Sequence, residues 1–186
     1  TSGHTVSMVR EMVAWFRAQA GVNGPDLLAG KRAEWVDWRG MQVTELVRGV
    51  SKAAKQKNPK LVISSSGGTN PSEFFACYRD SNRWLAEGCN DALFPMNYTP
   101  DLAELEEMLE TQARLAPAGK RDCIFPGLQI YATSVVNGGR VARPAEASLV
   151  EKEIRLVGTQ GYKGFCLFAR SYLSDEIIEV VRQFGQ

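Results

Sequence analysis

The chain has 186 residues, 44% of them hydrophobic and 23% charged, with a formal net charge of +1; this fits one globular domain and argues against disorder. The charges are mixed along its length, so it lacks the basic stripe that a phosphate backbone requires, and no nucleic-acid partner is expected. No apolar run approaches the roughly 18 to 20 residues of a membrane span, and Thr1-Ser-Gly-His4 carries no signal-peptide pattern, so no span is expected in this chain.

Val6, Val9, Val13 and Phe16 recur at helical spacing and predict a first helix over 5–20, stopped by Gly21. The turn residues of 21–30 predict a loop. A long helix is expected from about Lys31 or Trp35 to Lys57. Met41, Leu46, Val47 and Val50 should face inward, and its basic last turn suits the negative end of the helix dipole. After Asn58-Pro59, residues 61–67 predict the first strand, with its serines and glycines as a polar tail. A helix is expected over 71–87, a second strand over 93–98, and a helix over 101–115 with Asp101 as first-turn acid or cap. A third strand is expected over 124–132. Asn137-Gly-Gly-Arg140 should open a loop that ends at Pro144, ahead of a helix over 145–159. A fourth strand over 164–169 and a helix over 174–184 with a Ser/Asp start signal complete the pattern.

Short apolar strands alternating with amphipathic helices, and starting about 30 to 40 residues apart, indicate parallel βα units. Four such units make either a small open sheet or half of an eight-stranded barrel. Half a barrel would leave 61–63 exposed on one edge and 165–168 on the other. In either case ligands are expected at the carboxyl ends of the strands.

The four cysteines, Cys77, Cys89, Cys123 and Cys166, form no C-x-x-C pair and have only His4 to join them, so no metal site is expected. Cys123 and Cys166 fall in apolar runs and read as small buried hydrophobes. A Cys77 to Cys89 disulfide is allowed chemically, but spacing alone does not argue for it. The chain has no G-x-G-x-x-G, P-loop or G-x-S-x-G pattern, so no cofactor is expected.

Several blocks, taken together, resemble the glycosyl hydrolase-like 10 family: Trp35-x-x-Trp38-Arg39, Gln42-Val43, Asn58-Pro59-x-Leu61-Val-Ile-Ser, Trp84-Leu85-x-Glu87-Gly88, and Asp91 with Pro95-Met96-Asn97-Tyr98-Thr99. The resemblance covers most of 6–184. It implies an α/β fold of the (β/α)₈ TIM-barrel type, in which 1–186 is a single segment equivalent to the carboxyl-terminal half, strands five to eight with their helices. It also implies a bacterial exported or cell-envelope protein that hydrolyses O-glycosyl bonds, with peptidoglycan glycan strands as one substrate class. The expected partners are a glycan and either an amino-terminal half-barrel, which in that family carries an acidic strand-four motif, or a second copy of the chain.

Glycoside hydrolysis ordinarily uses two carboxyl groups about 5 to 9.5 Å apart. Glu73 and Asp101 follow strand ends and are the candidate acids, and Asp175 and Glu176 follow the fourth strand. Each also occupies a first helical turn, where capping and the dipole favour acids regardless of function, so the catalytic residues stay unassigned. Asp91, at the start of its strand, lies on the end that serves stability. Asn97 and Tyr98 are candidate sugar contacts, or else a polar network that holds the loop. Gln129 and Tyr131 alternate and should share a face. Ser65 and Ser66 are candidates for the floor of the site, with plain turn chemistry as the alternative, and Arg170 and Tyr172 end the last strand, where they meet a carboxylate or sugar ring or else form a surface ion pair. Trp35, Trp38 and Trp84 read as packing anchors. The rival functions are a glycan-binding protein without catalysis and a self-associating half-barrel without enzymatic activity.

Overall fold

A computed structural model describes residues 32–68 and 77–185. The helix expected over 5–20 and Glu73 lie outside the described residues. In chain order the elements are α1 (Arg32–Lys57), β1 (Ser64–Ser66), α2 (Ser81–Ala86), β2 (Ala92–Phe94), β3 (Met96–Asn97), α3 (Leu102–Leu115), β4 (Gly127–Gln129), β5 (Tyr131–Val136), β6 (Gly139–Pro144), α4 (Ala147–Thr159), β7 (Cys166–Phe168) and α5 (Asp175–Phe184). Single 3₁₀ turns at Arg121–Cys123 and Arg170–Tyr172 precede β4 and follow β7.

The architecture is α/β with parallel pairing. β1 pairs with β2, β3 with β4, and β4 with β7, all parallel. Pro95 separates β2 from β3 because it has no N–H for the ladder, while its carbonyl still accepts from Gly127 N at 2.7 Å. A parallel bridge between Leu93 and Ile124 carries the pairing past the break.

Side chains alternate across these strands. Leu93, Leu128 and Ile130 point into one core with Leu105 and Leu109 of α3, Val150, Ile154 and Val157 of α4, and Ile177 and Val180 of α5. On the opposite face Ser64, Ser66, Met96, Cys166 and Phe168 are exposed. The helices are placed by their caps. Asp101 caps α3 by accepting from Ala103 N and Glu104 N, and Ser174 caps α5 by accepting from Ile177 N.

Several expectations are corrected. Leu46 and Val50, expected inward, are 67% and 57% exposed. α1 instead turns Gly40, Thr44 and Ser51 inward, because polar contacts orient it. The Trp84 indole N–H donates to Thr44 Oγ1 at 2.9 Å, Arg48 pairs with Glu87, and Lys55 pairs with Asp91 at 2.6 Å. The strand expected over 61–67 is shorter, Ser64–Ser66 with flanking backbone bonds at Ile63 and Gly67, and Leu61 and Val62 are exposed. The helix expected over 71–87 is not continuous: Tyr78 has φ +56° and Asp80 caps a new helix at Ser81. Arg39 holds Tyr78 there, with its guanidinium 3.9 Å from the ring centroid and a 2.6 Å bond to the hydroxyl. The loop expected after Asn137 is the second half of an antiparallel hairpin, β5–β6. Asn137 and Gly138, at φ +51° and +78°, make its turn. Cys166, expected as a buried hydrophobe, is exposed, and all four cysteines are free.

Asp91 ties α1 to the start of the sheet. It accepts from Ile63 N at 2.8 Å and from Lys55 Nζ at 2.6 Å. The Ile63 bond first, and Lys55 second, hold its carboxyl below the usual carboxylate range. A depressed folded value means that the stabilisation is present above the unfolded-state value of about 3.9 and is lost as pH falls through the folded one. Asp91→Asn is expected to lower stability by about 1 kcal/mol at pH 7, discounted for its partial exposure, and to remove this acid-side slope, as read by urea denaturation across pH.

Glu153 on α4 has the opposite character. It is 1% exposed, and neither carboxylate oxygen has a hydrogen-bond partner. Burial pushes it up to about 7. Since the folded chain keeps a proton that the unfolded chain releases, stability is full below about 4.3, the unfolded value, and falls as pH rises to the folded one. Glu153→Gln is expected to be more stable than the parent at pH 8 by roughly 3 kcal/mol and nearly equal at pH 4, measured by urea midpoints.

Candidate functional site

The open face gathers aromatic side chains at the carboxyl ends of β3, β4 and β7. β3 alternates through Met96 outward, Asn97 inward and Tyr98 outward. Tyr98 is held by the turn that follows it: Asp101 N donates to Thr99 Oγ1 at 3.1 Å, and the Thr99 hydroxyl donates to Glu104. Asp101 itself caps α3.

β4 begins with Gly127, and the absence of a side chain there shapes the site. A Cβ at Gly127 would lie 2.7 Å from the Pro95 carbonyl oxygen and 3.7 Å from Cε1 of Tyr98. The first contact keeps β3 and β4 close, and the Tyr98 ring crosses β4 and stacks on Phe168 of β7, with ring centroids 5.3 Å apart and planes 19° apart. Gln129 lies directly opposite Phe168 in the register. Its amide donates to the Tyr131 carbonyl at 2.7 Å, which steadies the step from β4 to β5 and leaves the amide oxygen as an acceptor. Tyr131, at the root of the hairpin, packs on Tyr172 with centroids 4.9 Å apart.

The electrostatics agree with this grouping. Burial raises the Tyr98 phenol above its ordinary value, and the Cys166 thiol and Tyr131 phenol beside it push in the same direction. Tyr98 is thus a neutral hydrogen-bonding group at neutral pH. Arg170 is exposed in the turn after β7, next to Tyr172 in sequence. Among the described residues, no group of three or more His, Cys, Asp or Glu is placed to hold a metal ion, and no helix is long and apolar enough to cross a membrane.

Tyr98, Gln129, Tyr131 and Tyr172 are therefore brought together, with Arg170 at the margin. Asn97 and Ser65 are not part of the group. Asn97 is buried on the helix side, where its amide exchanges bonds of 2.8 and 3.3 Å with Gln112 of α3. Ser65 accepts from Asn90 at 2.6 Å, and it is Ser64 and Ser66 that face outward. Asp101 is engaged as a cap. Trp84 is buried as a packing anchor, and Trp35 and Trp38 stack on each other at 5.3 Å. Phe168, Cys166 and Gly127 were not anticipated at the site. The period-two pairing of Gly127-x-Gln129 with Cys166-x-Phe168 carries the signal, but it becomes readable only once the register between β4 and β7 is known.

No protein-family model and no curated protein matches the chain. Solved structures that resemble it include two enzymes by name. A chitinase from Chromobacterium violaceum superposes with a TM-score of 0.53 at 16% identity, over 76% of this chain and 61% of that one. The spore cortex-lytic enzyme SleL from Bacillus megaterium superposes with a TM-score of 0.59 at 10% identity, over 77% of this chain and 45% of that one. The chain thus spans less than two thirds of each, and at these identities the likeness is one of fold.

Gly127→Ala tests the crossing of Tyr98 over β4. Its methyl group meets a backbone carbonyl rather than a flexible side chain, so β3 and β4 must separate. A loss of about 1 to 3 kcal/mol is expected, with Tyr98 displaced from Phe168, as read by denaturation and by the phenol's titration in ultraviolet absorbance.

Proposed function

We propose that this chain is the carboxyl-side part of a glycoside-hydrolase-like protein of the (β/α)₈ type and that its open face holds a glycan. The observation that carries this reading is the Tyr98–Phe168 stack beside Gln129 at the carboxyl ends of adjoining parallel strands. Aromatic faces pack on the apolar face of a pyranose, while phenol and amide groups bond its hydroxyls. The two structural neighbours are named as a chitinase and a cortex-lytic enzyme, which favours an amino-sugar polymer of the bacterial envelope and an extracytoplasmic site of action.

Two features support completion by further polypeptide. The outer edges of β1 and β7 pair with no described strand. A recess of about 430 Å³ beside β7, lined by Leu167, Leu173, Ile178, Val181, Arg182 and Gly185, is largely apolar. An amino-terminal half-barrel, or less economically a second copy of the chain, would cover both. At least one catalytic carboxyl group would come from that portion, and Glu73 remains the candidate acid of this chain.

A second reading, glycan binding without cleavage, is favoured by one observation: among the described residues, no carboxylate bonds to Tyr98, Gln129, Tyr131 or Arg170. The test separates the two. Chitin oligosaccharides and peptidoglycan glycan strands are offered to the complete protein, with calorimetry for binding and reducing-end release for cleavage. Tyr98→Ala and Phe168→Ala are each expected to weaken binding about tenfold, the equivalent of one aromatic contact. Binding with cleavage supports the hydrolase, binding alone supports the second reading, and neither result on any glycan overturns both.

A further inference from the structure

The β5–β6 hairpin leaves the sheet at the candidate site and is exposed over nearly its whole length. Its register decides what it offers on each side. Tyr131 pairs with Pro144, Thr133 with Ala142 and Val135 with Arg140; between these, Ala132 pairs with Arg143, Ser134 with Val141 and Val136 with Gly139. Directly opposed residues of an antiparallel pair project from the same face, and alternate residues along a strand share a face. One face of the hairpin therefore carries Tyr131, Thr133, Val135 and Arg140, and the other carries Arg143 with Ser134, Val136 and Val141.

The first face belongs to the aromatic site, because its Tyr131 packs on Tyr172 and lies close enough to Tyr98 to perturb that phenol. Arg140 is then about 14 Å farther out along the ribbon, four residues at about 3.4 Å each. It is exposed, no Asp or Glu occurs between Tyr131 and Ala145, and no carboxylate pairs with it among the described residues. An exposed guanidinium on the site side of a protruding arm is available to an anion on whatever lies along that arm.

We propose that the hairpin is a substrate-binding arm and that Arg140 is its specificity determinant, selecting glycan chains that carry a carboxylate several ångströms beyond the sugar seated on Tyr98 and Phe168. The inference rests on the glycan reading above and adds a charge preference and a minimum chain length to it. A short neutral oligosaccharide reaches only the aromatic floor, whereas a longer acidic chain engages both ends of the arm's inner face. Planar guanidinium suits a carboxylate, with two parallel N–H···O bonds.

Arg143, on the other face, is the built-in control. The full chain is titrated by calorimetry with chitin oligosaccharides and with carboxymethylated chitin oligosaccharides of the same length, at low and at moderate salt. The parent is expected to prefer the carboxymethylated probe by about fivefold, less at the higher salt, as for an exposed ion pair. Arg140→Ala should abolish the preference while leaving neutral-probe affinity unchanged, Arg140→Lys should keep part of it, and Arg143→Ala should keep all of it. Circular dichroism verifies that each variant is folded. Equal binding of both probes by the parent, or equal losses in Arg140→Ala and Arg143→Ala, overturns the arm while the glycan reading stands. Binding of neither probe overturns that reading and the arm with it.

Discussion

The two-residue period of the parallel strands decides which side chains meet a helix and which meet solvent. With Leu93, Leu128 and Ile130 committed to the core, Gln129 and Phe168 have no choice but the opposite face. A slip of one residue between β4 and β7 would send Phe168 toward the helices and Leu167 outward, so burial on one side fixes the chemistry of the other. Gly127 adds the local exception. The bare backbone there lets β3 and β4 approach closely, since a Cβ would meet the Pro95 carbonyl oxygen at 2.7 Å, and Tyr98 stacks on Phe168 across that close pair.

A different balance governs α1. Its positions 44, 48, 51 and 55 form one stripe, and that stripe rather than the apolar one faces the rest of the described chain. The Thr44–Trp84 bond is buried, and the Arg48–Glu87 and Lys55–Asp91 pairs are partly shielded. Each is modest alone, but all three are satisfied in the same rotation of the helix. Any rotation that buried Leu46 and Val50 against α2 would strand the Trp84 indole N–H and break both ion pairs. An unmade buried hydrogen bond costs more than a made one contributes, and that asymmetry selects the observed orientation.

This explains what was legible in the sequence. The parallel α/β plan, the caps at Asp101 and Ser174 and the clustering of Tyr98, Gln129, Tyr131 and Tyr172 follow from local patterns: strand alternation, turn chemistry and first-turn acids. The rotation of α1 was not legible, because hydrophobic periodicity is blind to polar partners such as Trp84, about forty positions away. The hairpin was legible in principle, since Asn137-Gly138 directly after the β-branched Val135-Val136 is a strong two-residue turn signal; the glycine, arginines and proline that follow it made the return strand look like a loop. Asn97 and Ser65 were misplaced for a related reason. Type and position near a strand end were visible, but the face was not until the register settled it.

The distribution of acids bears on what the described residues can do chemically. Glu153 has the proton affinity suited to a general acid near neutral pH, yet it lies on a helix in the covered layer, on the far side of the sheet from Tyr98. Asp101 caps a helix, and Glu176 is held below the ordinary carboxylate range by its own backbone N–H and by Ser174, which marks it as part of the α5 start. A perturbed carboxyl without access to substrate is a stability feature, and an accessible one engaged at a helix start is a cap; catalysis needs geometry first and proton affinity second. What the carboxyl ends of β3, β4 and β7 gather is neutral: the phenols of Tyr98, Tyr131 and Tyr172, the Phe168 ring and the Gln129 amide, with the exposed Arg170 beside Tyr172 in sequence. Phenols and an amide offer hydrogen bonds and apolar faces but no group able to exchange a proton near neutral pH, so position rather than proton affinity sets what this face presents.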